Sequence, residues 1–109
     1  MTANYSHDVY RHISASNLTV NSTSATSTSS VSSQTRFVQL LPVLASSAQP
    51  SGGVWYTISE VGATAVDSTT GTFLAAGWPE VVKITPGQMV QALASNATVT
   101  NLSITQETD

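Results

Sequence analysis

Short runs of Val, Thr, Ile, Tyr, Phe and Trp recur along the chain with Gly and Pro between them, and no window of a dozen residues carries a capped 3.6-residue apolar period. The pattern excludes a helical domain with its continuous apolar stripes. It also leaves no room for the crossover helices that a parallel sheet requires. Seven or so short strands separated by turn signals predict an all-β fold, a β-sandwich or a jelly-roll-like domain, with an extended N-terminal arm.

The strands are read from alternation and punctuation. Residues 36–41 are apolar on both faces and suit a central strand, which Pro42 or Pro50 ends. Val54, Tyr56 and Ile58 alternate with Trp55, Thr57 and Ser59, so the two sets point to opposite faces. Short strands are expected at 63–66 and 72–75, with a break at Gly77-Trp78-Pro79. Thr85-Pro86-Gly87-Gln88, between strands at 80–84 and 88–93, has Pro second and Gly third, the pattern of a type II turn. The closing strand, 97–105, changes face between Val99 and Leu102, which predicts a bulge near Asn101.

The first 34 residues differ, with no Gly and no Pro. Residues 21–35 are almost pure Ser and Thr, with too little apolar surface to order alone. Residues 1–20 are therefore expected as an arm, 21–34 as its connection, and 35–109 as the β-sandwich domain. His7 to Ile13 is the nearest approach to a helical turn. Tyr5, Tyr10 and Ile13 are the arm's expected anchors on another protein surface.

Charge narrows the function classes. Only 8% of the 109 residues are charged, against about 25% in an ordinary soluble protein. Arg11, Arg36 and Lys83, the only cations besides histidine, are too few and too scattered to neutralise a nucleic-acid backbone. No polybasic segment suits an anionic membrane, and no apolar run is long enough to span a bilayer. The start of the chain lacks the basic and apolar segments of a signal peptide, so export by the general route is not expected. All five asparagines lie in Asn-x-Ser/Thr triplets, a pattern that Ser/Thr richness itself produces.

Enzyme chemistry is not expected, and neither is a cofactor. His7, Asp8 and His12 form the one metal-like cluster, but positions 7 and 12 point to opposite faces of a strand and diverge on a helix. A serine nucleophile would need a histidine base, and both histidines lie in the arm. Glu60, Asp67 and Glu80 stand beside turns, where carboxylates are solvated. Ser51-Gly52-Gly53 lacks the Lys and helix of a phosphate site. Trp55 and Trp78 are read as contacts with a partner protein, with stacking on a sugar as the competing use.

The dominant inference concerns sheet edges. Soluble sheet proteins blunt their edges with Lys and Pro, and residues 35–109 contain a single Lys. The edges are therefore expected to pair with other subunits. Uncharged Ser, Thr, Asn and Gln can be buried at such a seam without stranding a charge.

The run from Phe73 to Val90, with its Gly-Trp-Pro-Glu and Pro-Gly turns, followed by the strand from Ala97 to Thr105, resembles small all-β virion proteins of tailed bacteriophages. The likeness spans about residues 35–107. It implies a structural protein on the capsid surface, a decoration or cement protein, with the major capsid protein and copies of itself as partners. A tail or neck component is the alternative within the resemblance. A secreted carbohydrate-binding module is the alternative outside it.

Overall fold

In a computed structural model of the chain, which describes residues 11–44 and 52–108, the Pro86-Gly87 turn forms as its residues dictate. Gly87 takes φ +92° and the Gln88 N–H donates to the Thr85 carbonyl at 3.0 Å. Proline presets the first corner and glycine accepts the positive φ of the second. Around this turn the described residues build eight strands: β1 (Arg11–Thr19), β2 (Thr26–Ser27), β3 (Phe37–Leu44), β4 (Gly53–Ser59), β5 (Thr72–Ala75), β6 (Glu80–Lys83), β7 (Met89–Ala94) and β8 (Val99–Thr108).

They form two antiparallel sheets, ordered β1-β8-β3-β6 and β2-β7-β4-β5. The sheets pack face to face as a β-sandwich, with β8 against β7 and β4, and β3 against β4. The core lies between them. Val38, Leu40, Val54, Val90, Ala92 and Leu102 have no exposed surface. The β4 alternation is as expected, with Val54 and Tyr56 buried and Trp55 and Thr57 facing out.

The bulge in β8 also forms. Val43 pairs with Asn101 but Leu44 pairs with Val99, so Thr100 is the extra residue. It lets Val99, Leu102 and Ile104 all reach the core despite their broken alternation.

Three expectations are corrected. Proline does not end the strand at 42: Pro42 is buried within β3, opposite Leu102. Its carbonyl accepts from the Gly77 N–H at 3.1 Å, so its backbone faces away from β8. The missing N–H therefore removes no bond of the β3–β8 ladder. Residues 63–66 are a loop rather than a strand. The buried Gln91 side chain holds this loop onto β7 and β4, accepting from the Val66 N–H at 2.9 Å and donating to Ser59 Oγ at 2.9 Å and the Thr64 carbonyl at 3.3 Å.

The third correction concerns residues 11–34, expected as arm and connection. They belong to the sandwich. β1 pairs along its length with β8, and β2 pairs with β7. Val20 and Val31 are buried in the common core, worth about 1.5–3 kcal/mol each. The Ser/Thr segment is held chiefly by hydrogen bonds. Asn21 Oδ1 accepts from the Thr23 and Ser24 N–H groups to turn the chain. Thr28 and Val31 donate backbone N–H to Val90 and Gln88. Buried Thr35 donates its hydroxyl to Gln106 Oε1 at 2.7 Å. The expected anchors Tyr5 and Tyr10 lie outside the described residues, as do His7, Asp8 and Pro50.

Candidate docking surface

β3 is apolar on both faces, and in a two-layer sandwich only one face can be core. Val38, Leu40 and Pro42 point inward and are buried. Leu41 and Val43 therefore point out, joined on β6 by Val81, which pairs with Gln39 on the same face. Val43 and Val81 are each 41% exposed. Trp78 follows at the corner between β5 and β6, where the Gly77 N–H bond to Pro42 brings the turn beside the end of β3. Gly77, at φ +84°, forms that corner. Trp78 is 69% exposed, the most exposed of the large apolar side chains described.

The rest of this outer face carries hydroxyls and amides: Asn101, Ser103 and Thr105 on β8, with Asn17 and Thr19 beyond them on β1. Charge is confined to its margins. Lys83 stands opposite Phe37 at the end of β6. Glu107 is buried and meets exposed His12 Nε2 at 2.9 Å, while its other oxygen, Oε1, has no hydrogen-bond partner. A bulge at Ile13 sets this pairing, because His12 faces Glu107 and the next paired residue, Ser14, faces Gln106. Ile13, an expected anchor, is thus a half-buried bulge residue of the sandwich.

Trp55 lies on the other sheet. Its ring meets Phe73 with centroids 4.9 Å apart and planes tilted by 58°. The fold does not unite the expected contact residues, since Trp55 faces outward from β4 while Trp78 stands at the corner leading to β6. Sequence reasoning missed Leu41, Val43 and Val81. Their signal was the doubly apolar character of residues 36–41.

Three described carboxylates bind neighbouring side chains or their own loop. Tyr56 donates its hydroxyl to Glu80 Oε2 at 2.7 Å across the two sheets. Burial, then the hydrogen bond to Glu80 and its charge, push the phenol above its ordinary range. Asp67 caps its own loop. Its carboxylate accepts from the hydroxyls and N–H groups of Thr69 and Thr70, which hold it at about 2. Glu60 accepts from Gln88 Nε2 at 2.8 Å. Among the described residues no three His, Cys, Asp or Glu side chains cluster as metal ligands would.

No family model matches the chain, and no curated protein or solved structure matches it either. The functional reading therefore rests on the surface itself.

Proposed function

We propose that this chain is a structural subunit that works by docking on other proteins, as a decoration or cement protein on the major capsid protein lattice of a tailed phage. One observation carries the docking reading: an apolar band of Leu41, Val43, Val81 and a Trp78 that is 69% exposed, on a chain with few charges. Exposed Trp is enriched at the anchoring points of protein interfaces, and exposed apolar side chains gathered on one side of a fold mark an interaction site.

The strand order supports the virion setting by analogy. β1 pairs with β8, β2 with β7, β3 with β6 and β4 with β5, so the chain runs as one long hairpin rolled over its core. This is the order of an eight-stranded jelly roll, an architecture that serves viral capsids and also lectins.

Quantitative mass spectrometry of particles from cells carrying the gene tests the proposal. The expected result is the protein in fixed, high ratio to the major capsid protein. A copy number matching a single ring assigns it to tail or neck, and absence from particles overturns the virion reading. The lectin alternative draws on the Trp55–Phe73 pair. Binding on a glycan array that Trp55→Ala abolishes would favour it.

A further inference from the structure

We infer that the outer edge of β1 recognises the same edge of a second copy, pairing antiparallel about a two-fold axis at Ser16. The inference rests on the reading of the chain as an assembling subunit and names one of its partners.

Backbone direction comes first. The Val20 N–H donates to the Thr100 carbonyl at 2.9 Å, so Val20 faces β8. Antiparallel ladders alternate. Ser14, Ser16 and Leu18 therefore also face β8, while Ala15, Asn17 and Thr19 turn their N–H and C=O groups outward. Thr19 shows this directly, because its carbonyl accepts from Thr26 Oγ1 at 3.0 Å. Among the described residues no strand lies on that side of β1.

The open stretch is bounded at both ends. The Thr26 hydroxyl caps it at Thr19, and the Ile13 bulge interrupts it at the other end. Between these limits Ala15 and Asn17 present four outward backbone groups, and Ser16 is the midpoint. An antiparallel strand that satisfies all four can be the same segment of another copy. Ala15 then faces Asn17 of the second copy, Asn17 faces its Ala15, and two pairs exchange four hydrogen bonds.

The charge pattern selects this occupant. Residues 13–19 carry no charge, and Arg11 and His12 stand together at one end. A two-fold axis at Ser16 sends the two copies' Arg11 side chains to opposite ends of the seam, so like charges never meet. The edge also lacks the Lys and Pro that would block such pairing.

The inner side offers a matching surface. A groove of about 300 Å³ runs beside the edge, floored by Leu18, Val31, Val90 and Ile104 and walled largely by hydroxyls. The added strand sets its Leu18 opposite Ser14, along the mouth of that groove. Four hydrogen bonds and one short strand make a contact below the usual size of a stable interface. The pairing is therefore transient in dilute solution and persists where copies are held close together.

Disulfide trapping suits a transient dimer, and the native chain has no cysteine to confuse it. In the inferred register the two copies of Ser16 form a non-hydrogen-bonded pair with Cα atoms about 4.5 Å apart, within disulfide reach. Ser16→Cys is expected to form a covalent dimer under mild oxidation. Ala15→Cys and Asn17→Cys are each expected to stay monomeric alone and to cross-link when mixed.

Adding Asn17→Pro to Ser16→Cys removes an outward N–H and an exposed carboxamide but no bond of the β1–β8 ladder, so the melting curve should be retained while trapping slows at least tenfold. Efficient trapping by Asn17→Cys alone overturns the register, and a monomeric Ser16→Cys variant overturns the self-pairing. If that monomeric variant still incorporates into particles, the docking reading stands without it.

Discussion

Replacing Gln91 by Met keeps the length of a buried side chain and removes its polar atoms. Gln91 is only 3% exposed and makes three hydrogen bonds that hold the 60–66 loop against the sheet. The variant loses two bonds of good length, about 0.5–1.5 kcal/mol each, and strands the Val66 N–H at about 1–3 kcal/mol. An escape limits the total. The loop can lift off, hydrate its amides and expose Val66, at about 1.5–3 kcal/mol. The expected loss is therefore roughly 2–3 kcal/mol. With a urea slope of about 1–3 kcal/mol/M, the unfolding midpoint falls by about 0.7–3 M. Fluorescence of Trp55 and Trp78 reports that midpoint, and hydrogen exchange at the Val66 amide should accelerate more than tenfold. An unchanged midpoint with Val66 still protected would refute the tether.

Asp67 should titrate by NMR at about 2 rather than its usual 3.8; because its folded value is depressed, the stabilisation it gives is complete above 3.8 and is lost as pH falls through 3.8 toward 2. Tyr56→Phe removes the hydrogen bond to Glu80; since Glu80 is solvent-exposed, the expected cost is roughly 1 kcal/mol, read as a fall of about 4 °C or more in Tm. Gly87→Ala places a methyl where no atom lies within 4 Å, so its cost is backbone strain at φ +92° alone, about 1–2 kcal/mol in urea unfolding.

Where apolar and polar residues contrast at period two, strands are legible in a chain like this one. Tyr56 and Ile58 against Trp55 and Thr57 place β4, and the displaced Val99 against Leu102 announces the β8 bulge. Turns are legible where Pro and Gly sit in the positions that their dihedral angles require, as at Pro86-Gly87. Contrast fails in β1. Its partner across the core, β2, is two residues long, so both faces of Ser14, Ala15, Ser16 and Asn17 stay exposed and no period survives. Hydroxyl-to-backbone bonds, rather than apolar burial, then order the Ser/Thr segment between Asn21 and Thr35, and composition reads such a segment as a linker. Residues 63–66 fail in the opposite sense. They look like a strand because Val66 must plug the sheet, but a glutamine 25 residues away determines where the loop lies. The docking band was half visible, because an apolar outer face on β3 becomes unpartnered surface only once two layers are known.

The two proposed contacts lie on opposite sides of one sheet, and this separation makes them independently testable. β8 alone intervenes between β1 and β3, where the band begins, so the edge and the nearest strand of the band stand about 10 Å apart at the usual strand spacing. At that distance, substitutions with no shared neighbour act additively. A subunit that laces a lattice needs such an arrangement, since a contact to the shell and a contact to the next copy must be made together. Trp78→Ala truncates an exposed corner residue, so it should change stability by no more than about 0.5 kcal/mol. It should abolish incorporation into particles while leaving disulfide trapping of the Ser16→Cys variant intact. Asn17→Pro should do the reverse in free solution, blocking trapping while retaining attachment of single copies at reduced occupancy. Loss of both properties in either variant would mean one continuous surface, and the two-contact arrangement would fall.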